Sequence, residues 1–122
     1  MGKILIIDDE VQFRKMVRQM LERAGHTVVE AADGRQGEYL YRQQPADLII
    51  TDIFMPEQEG IETIIAMKRK YPDVKIIAVS GGGRNDGLRF LNQAEHLGAD
   101  RIFEKPFERQ ELLHAITEIL NP

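Results

Sequence analysis

Apolar residues fall into two patterns along the chain: short continuous runs, and longer segments in which they recur with a helical period. The short runs are rich in β-branched residues and predict five strands, at residues 3–8, 27–31, 47–52, 74–79 and 101–104. Three of these runs are almost continuously apolar. Both faces of those strands should therefore be covered, as in a parallel sheet that is flanked by helices.

The segments between the predicted strands have the spacing of amphipathic helices. From Phe13, and again from Leu112, apolar residues return at positions i+3, i+4, i+7 and i+8. The further helix candidates are residues 59–71 and two weaker segments, 34–44 and 86–97. Gly25 and Gly98 follow helical segments, at positions where a left-handed cap is expected.

Five strands alternating with five helices make a (βα)5 chain of the α/β class. Right-handed crossovers then place helices on both faces of the sheet. The flavodoxin-like strand order 2-1-3-4-5 is the usual arrangement for this number of strands, and it opens a crevice at the carboxyl ends of strands 1 and 3. We therefore expect one domain over residues 1–122, built on a doubly wound parallel five-stranded sheet.

Composition narrows the possible functions. The 122 residues include no cysteine, which excludes disulfides and thiolate catalysis, and the net charge of -4 with no long basic run gives no reason to expect nucleic acid. The longest apolar run, Ile4 to Ile7, is far too short to span a membrane, and the N-terminus lacks the pattern of a signal peptide. The expectation is a cytoplasmic protein that binds neither membrane nor nucleic acid directly.

Polar residues follow four of the five predicted strands. They are Asp8, Asp9 and Glu10 after strand 1, Thr51 and Asp52 at the end of strand 3, Ser80 after strand 4, and Lys105 and Pro106 after strand 5. Taken singly, each has an ordinary interpretation: Asp9 as a helix cap, Asp52 as a turn residue, Ser80 as a loop hydroxyl, Lys105 as a solvated lysine. The carboxyl ends of parallel strands meet at the sheet edge where open α/β folds bind ligands. Four unrelated polar residues would have to fall at this one edge by chance, so we favour a shared functional site over the four separate interpretations.

These residue types suit the chemistry of an acyl phosphate. Carboxylates that lie close together repel one another unless a cation neutralises them, and oxygen ligands in a shallow site suit Mg²⁺. A lysine ammonium and a serine hydroxyl can each contact a phosphoryl oxygen. Together these groups could form and hold an aspartyl phosphate.

The order of the motifs resembles one family, the receiver domains of two-component response regulators, and is similar to its chemotaxis regulators. The matching segments are Ile6 to Glu10, Leu48 to Asp52, Met55 and Pro56 with Gly60, Ile76 to Ser80, Leu97 to Asp100, and Lys105 to Phe107. They cover essentially the whole chain in the expected order. The resemblance implies that Asp52 is the phosphoacceptor and that Asp8, Asp9 and Asp52, with the backbone carbonyl of Phe54, hold Mg²⁺, for which Mn²⁺ could substitute.

The resemblance also implies how the domain switches. Ser80 corresponds to the switch hydroxyl, Lys105 to the phosphate contact, and Phe103 to the aromatic residue that turns inward. The change would reach the surface of helix 4, strand 5 and helix 5. The Lys105–Pro106 bond corresponds to a cis peptide, which is inexpensive before proline. In this family alanine usually follows the switch hydroxyl, whereas here residues 81–83 are all glycines. We therefore expect an unusually flexible loop there.

The expected function is that of a regulatory phosphoacceptor rather than an enzyme. The three histidines, His26, His96 and His114, are not spaced as ligands and fit surface or helix-end roles. The resemblance therefore implies that the phosphohistidine lies on a partner, a sensor histidine kinase or a histidine phosphotransfer domain. The output would be a downstream protein or an output domain elsewhere in a longer chain.

Two alternatives stay open at this point. One is a magnesium-dependent phosphatase with an aspartate nucleophile. Such enzymes place Asp-x-Asp on the first strand, whereas this chain has the adjacent pair Asp8 and Asp9 there. The other is a scaffold with a vestigial site. Every site residue is of a type that can perform its expected role, which argues against this alternative.

Overall fold

The computed structural model describes residues 2–53, 60–80 and 87–122, and in them strands and helices alternate strictly. The elements are β1 (Lys3–Ile7), α1 (Val11–Arg23), β2 (Thr27–Ala31), α2 (Gly34–Gln43), β3 (Leu48–Asp52), α3 (Gly60–Lys70), β4 (Ile76–Ser80), α4 (Gly87–His96), β5 (Arg101–Glu104) and α5 (Arg109–Leu120). The predicted (βα)5 alternation is confirmed. Phe54 and the glycines at 81–83 lie outside the described residues.

All the strand pairs are parallel, and the strand order is β2-β1-β3-β4-β5, which confirms the predicted arrangement. The register brings the carboxyl ends of the strands level with one another. Ile7 lies opposite both Ala31 and Thr51, and Asp52 lies opposite Val79. Residues that follow β1 and β3 are therefore neighbours at one edge of the sheet.

The core lies on both sides of the sheet because successive strand residues point to opposite faces. Ile4 and Ile6 pack with buried residues of α1 and α5, whereas Leu5 and Ile7 pack with buried residues of α2, α3 and α4. All residues of β3 and β4 are buried. Each Ile or Leu that is fully buried in this way stabilises the fold by roughly 1.5–3 kcal/mol.

Four strand boundaries differ from the prediction by one or two residues: β3 begins at Leu48 instead of residue 47, β4 ends at Ser80 instead of residue 79, and the end of β1 and the start of β4 also shift. β1 ends at Ile7, so Asp8 already lies beyond the strand, although its N–H still donates to the Ala31 carbonyl at 3.1 Å. β4 begins at Ile76 rather than at Val74, because the Val74 N–H donates to the Tyr71 carbonyl at 3.0 Å and closes the turn after α3. An apolar run does not distinguish a buried turn residue from the first residue of a strand.

The predicted helix caps at Gly25 and Gly98 are confirmed. Their φ angles are 98° and 115°, in the left-handed region that disfavours side chains. Among the described residues, no helix combines the length and the apolarity that crossing a membrane requires.

Gly60, the first residue of α3, packs directly on the backbone at the end of β3. A Cβ at this position would lie 2.0 Å from the Asp52 carbonyl oxygen and 2.3 Å from the Ile53 Cα. We expect Gly60→Ala to lower the free energy of unfolding by about 1–3 kcal/mol, the usual cost of forcing an extra group into a packed interior. Urea denaturation measures this loss. Glu62→Ala, an exposed change on the same helix, should cost less than about 1 kcal/mol, and equal losses for the two variants would contradict the account.

Candidate functional site

Three carboxylates meet at the carboxyl ends of β1 and β3. Oxygen atoms of Asp8, Asp9 and Asp52 all lie within 4.8 Å of one another. Asp8 and Asp52 are buried, with 1% and 7% of their surface exposed, whereas Asp9 is exposed. The adjacency of β1 and β3 in the sheet brings these side chains together, as the sequence predicts, although Asp9 and Asp52 are 43 positions apart along the chain.

Lys105 reaches this cluster from β5, the edge strand that lies two strands away from β3. It follows β5, and its Nζ lies 3.0 Å from Asp8 Oδ2 and 3.5 Å from Asp52 Oδ2. The exposed Glu10 carboxylate is 4.0 Å from the same ammonium. One ammonium facing the three aspartates leaves two negative charges in excess within this group. Lys105 therefore relieves the repulsion between the carboxylates only in part.

A divalent cation fits the remaining charge and the geometry of the three aspartates. Ligands on opposite sides of Mg²⁺ lie about 4.2 Å apart, given metal–oxygen distances of about 2.0–2.1 Å, and the ion usually keeps several waters. Neighbouring ligands of such an ion lie about 2.9 Å apart, so the carboxylate oxygens, all within 4.8 Å of one another, would draw closer together around it. The Phe54 carbonyl, the fourth predicted ligand, lies outside the described residues.

Ser80 lies at the end of β4, beside the acidic cluster. Its side chain is fully buried, and it is the residue after Val79, which pairs with Asp52. The Ser80 carbonyl accepts a hydrogen bond of 2.7 Å from the Lys105 N–H, so β4 positions the backbone from which the lysine side chain extends. The Lys105–Pro106 peptide bond that follows is cis, as the resemblance implies.

Phe103 is half-buried on β5 and lies opposite Val79 in the sheet. Its ring lies 5.6 Å from the ring of Phe107, which in turn meets Phe13 edge-on at 6.1 Å. Phe103 thus begins a row of three aromatic rings that extends toward α1. Its role in switching stays a prediction.

Two residues of α1 contact the site although the sequence motifs do not mark them as site residues. The sequence pattern places Phe13 in the apolar stripe of α1, yet its ring lies directly beneath the Lys105 ammonium, whose Nζ is 3.7 Å from the ring centroid. Arg14 belongs to none of the sequence motifs, yet its Nη1 donates to the Asp8 carbonyl at 2.6 Å and its Nε to Glu30 Oε1 at 3.0 Å. Only the position of Arg14 in the first helical turn after the acidic pair hinted at this contact.

Glu30 fixes Arg14 against the Asp8 backbone, and this pairing should depend on pH. Burial by itself would raise the pKa of Glu30, but hydrogen bonds from Arg18 and Arg14 outweigh it, so the pKa lies below its usual value. The folded state then binds a proton on Glu30 less readily than the unfolded state does. The stabilisation is therefore complete above the unfolded pKa of about 4.3 and is lost as pH falls through the lower folded value.

We therefore expect Glu30→Gln to destabilise the protein near neutral pH and to make little difference at the most acidic pH at which the fold persists. Urea denaturation of the variant and the wild type across the acidic range measures the convergence. Glu22→Gln, which removes a more exposed partner of Arg18, should cost less than about 1 kcal/mol. A Glu30→Gln effect that does not change with pH would contradict the expectation.

The three histidines lie on other parts of the molecule, in the surface and helix-end roles predicted for them. His26 follows the α1 cap, where its Nδ1 accepts a hydrogen bond of 3.2 Å from the Gly2 N–H and burial lowers its pKa. It lines an open cavity of about 640 Å³ at the opposite edge of the sheet. His96 ends α4, and His114 lies exposed on α5.

Comparison with known proteins agrees with this geometry. Residues 4–117 match the family model described as the response regulator receiver domain. The chain is 35% identical to the chemotaxis protein CheY of Bacillus subtilis, with 98% of each protein covered. It is 33% identical to the transcriptional regulatory protein CpxR of Escherichia coli strain K12, and the alignment covers 98% of this chain but 50% of that relative.

Solved structures give the same result. The crystal structure of a response regulator receiver domain protein from Clostridium thermocellum superposes with a TM-score of 0.91 at 30% identity, covering 99% of this chain and 95% of that one. A match of the family model over nearly the whole chain, together with relatives above 30% identity, shows the family. This chain belongs to the receiver domains of response regulators.

Proposed function

We propose that this receiver domain, which takes up residues 1–122, accepts a phosphoryl group on Asp52 from a phosphohistidine of a partner protein. The partner would be a sensor histidine kinase or a histidine phosphotransfer domain. The convergence of Asp52 with Asp8, Asp9 and Lys105 at one edge of the sheet carries this proposal. Asp52 is the one member of the acidic cluster on β3, and 7% of its surface stays exposed.

The transfer is a substitution at phosphorus. A carboxylate oxygen of Asp52 forms the new bond to phosphorus, and the phosphorus–nitrogen bond of the donor breaks, with its electron pair returning to the imidazole. Asp8 and Asp9, together with Asp52 and the Phe54 carbonyl, would hold Mg²⁺, or Mn²⁺ in its place. When bound there, the ion supplies positive charge for the transferred phosphoryl oxygens. Lys105 holds a further phosphoryl oxygen through its ammonium, and Ser80 donates a hydrogen bond to another.

Phosphorylation then changes the surface formed by α4, β5 and α5. The Ser80 hydroxyl is drawn toward the phosphoryl group, and Phe103 turns into the space that this movement vacates. The altered surface is recognised by a downstream protein or by an output domain in a longer chain, which suits a regulatory domain rather than a metabolic enzyme. CpxR, with twice the aligned length, is named as a transcriptional regulator. A cytoplasmic location, where a kinase could reach the domain, is part of the same proposal.

Incubation with a small phosphodonor and Mg²⁺ tests the proposal. Intact mass spectrometry should show the addition of a single phosphate group that persists after the donor is removed. Continuous release of inorganic phosphate without an adduct would instead indicate a phosphatase, and an unmodified protein would indicate a scaffold. Chelation of the metal with EDTA should prevent the adduct, and loss of Asp52 should do the same.

A further inference from the structure

The Lys105 ammonium has an uncharged partner in addition to its carboxylates. Its Nζ lies 3.7 Å from the centroid of the Phe13 ring. The negative face of an aromatic ring attracts a cation at this distance, and more strongly when water is excluded from the pair. Both side chains are largely removed from solvent, because Phe13 is 9% exposed and the Lys105 side chain 17%.

We propose that Phe13 is a positioning residue, whose ring holds the Lys105 ammonium at the acidic cluster while a cation occupies the three aspartates. This inference rests on the proposed phosphoacceptor function and assigns to that reaction a residue on α1. Phe13 itself touches neither phosphate nor metal. It acts through Lys105.

Competition between two cations for the same carboxylates creates the need for such a residue. Lys105 Nζ lies close to Asp8 Oδ2 and Asp52 Oδ2, and both aspartates belong to the group that fits a divalent ion. A divalent ion on those oxygens weakens their attraction for the ammonium and repels it as well. The remaining carboxylate near the ammonium, that of Glu10 at 4.0 Å, is itself exposed, so without a buried partner the flexible lysine side chain would turn toward solvent, where its freedom is greatest. The Phe13 ring attracts the ammonium whether or not the carboxylates are engaged.

The ring is held firmly enough to serve this purpose. Phe13 belongs to the core cluster of α1 and α5, together with Val17 and Met20 of its own helix. Phe107 packs against it edge-on, with an interplanar angle of 88° and 6.1 Å between centroids. Since Phe107 lies two residues after Lys105, the segment that carries the lysine also buttresses the ring beneath it. The pair is therefore preorganised before any phosphoryl group arrives.

Nuclear magnetic resonance of the full chain tests the contact directly. Protons of the Lys105 side-chain terminus, placed over the face of a ring, should resonate upfield of the other lysines. The shift should persist when Mg²⁺ is saturating. Phe13→Leu should abolish it, while Met20→Leu, a change of equally buried residue on the same helix, should preserve it. An unshifted Lys105 resonance in the wild type, or loss of the shift when Mg²⁺ binds, would overturn the inference.

Kinetics distinguish positioning from packing. Replacing Phe13 by mono-, di- and trifluorinated phenylalanine keeps the ring and its shape but progressively weakens its negative face. The initial rate of phosphate uptake from a small donor should fall stepwise, by roughly three- to tenfold at the trifluoro variant, with melting temperatures unchanged. The series also covers the case in which Phe13→Leu does not fold. A flat rate across the series would overturn positioning and leave the phosphoacceptor function standing. If the wild type takes up no phosphate, the proposed function fails, and the resonance in Mg²⁺ alone decides whether Phe13 holds Lys105.

Discussion

Replacing Asp52 by asparagine is expected to abolish phosphate uptake and to leave the fold intact. Asparagine keeps the size and shape of the side chain but lacks the carboxylate oxygen that forms the bond to phosphorus. The change also removes one of the three clustered negative charges near Asp8 and Asp9, so repulsion within the cluster falls. We therefore expect the variant to melt at or above the temperature of the wild type while its mass in the presence of donor and Mg²⁺ stays unchanged.

Asp73→Asn is a matched control for this experiment, because Asp73 is an exposed aspartate in the turn between α3 and β4. It should be phosphorylated at the rate of the wild type. Phosphorylation of Asp52→Asn at that rate would contradict the assignment of Asp52 as the phosphoacceptor.

Mg²⁺ is expected to stabilise the unphosphorylated protein, which is the second large effect. The ion binds the folded cluster and not the unfolded chain, in which Asp52 is far from the adjacent pair Asp8 and Asp9. At a concentration about 100 times its dissociation constant, it should raise the free energy of unfolding by about 2.7 kcal/mol. Thermal or urea denaturation as a function of Mg²⁺ concentration, at ionic strength held constant with KCl, measures the gain.

Asp9→Asn should weaken this stabilisation. Asp9 is the exposed member of the cluster, so its replacement disturbs packing least while removing one ligand. Mutation of residues that only support a metal ligand already weakens metal affinity by about 10–100-fold. We therefore expect Asp9→Asn to raise the dissociation constant for Mg²⁺ by at least about tenfold. The Asp73→Asn control should respond as the wild type does. A Mg²⁺ effect of equal size in Asp9→Asn would contradict the metal assignment.

Most of the fold could be predicted from the sequence because the signals are local. Runs such as Ile4 to Ile7 identify buried strands, and the recurrence of apolar residues from Phe13 identifies α1. The errors lie where different structures share one pattern. Val74 is buried like a strand residue but belongs to a turn, and α2, α3 and α4 each end one residue earlier than predicted. The strand order required a rule about α/β folds in addition to periodicity.

The site residues that lie at the ends of strands could be predicted from the sequence. The positions of Asp8, Asp52 and Ser80 follow from the strands alone, because parallel strands place their carboxyl ends together. The partners supplied by α1 could not be predicted in this way. Phe13 lies 92 residues before Lys105, and a core aromatic with an additional contact has the same sequence signal as one without it. Arg14 likewise contacts a backbone carbonyl. Every residue has such a carbonyl, so the amino-acid sequence cannot indicate this contact.

Chemical identification of the modified residue tests the central claim most directly. An acyl phosphate on aspartate is reduced by borohydride to homoserine, which peptide mass spectrometry locates at a single position. After incubation with a phosphodonor and Mg²⁺, the account predicts homoserine at position 52, and none there when either reagent is omitted. Homoserine at position 8 or 9 instead, or an adduct that borohydride does not convert, would contradict the claim that Asp52 is the phosphoacceptor.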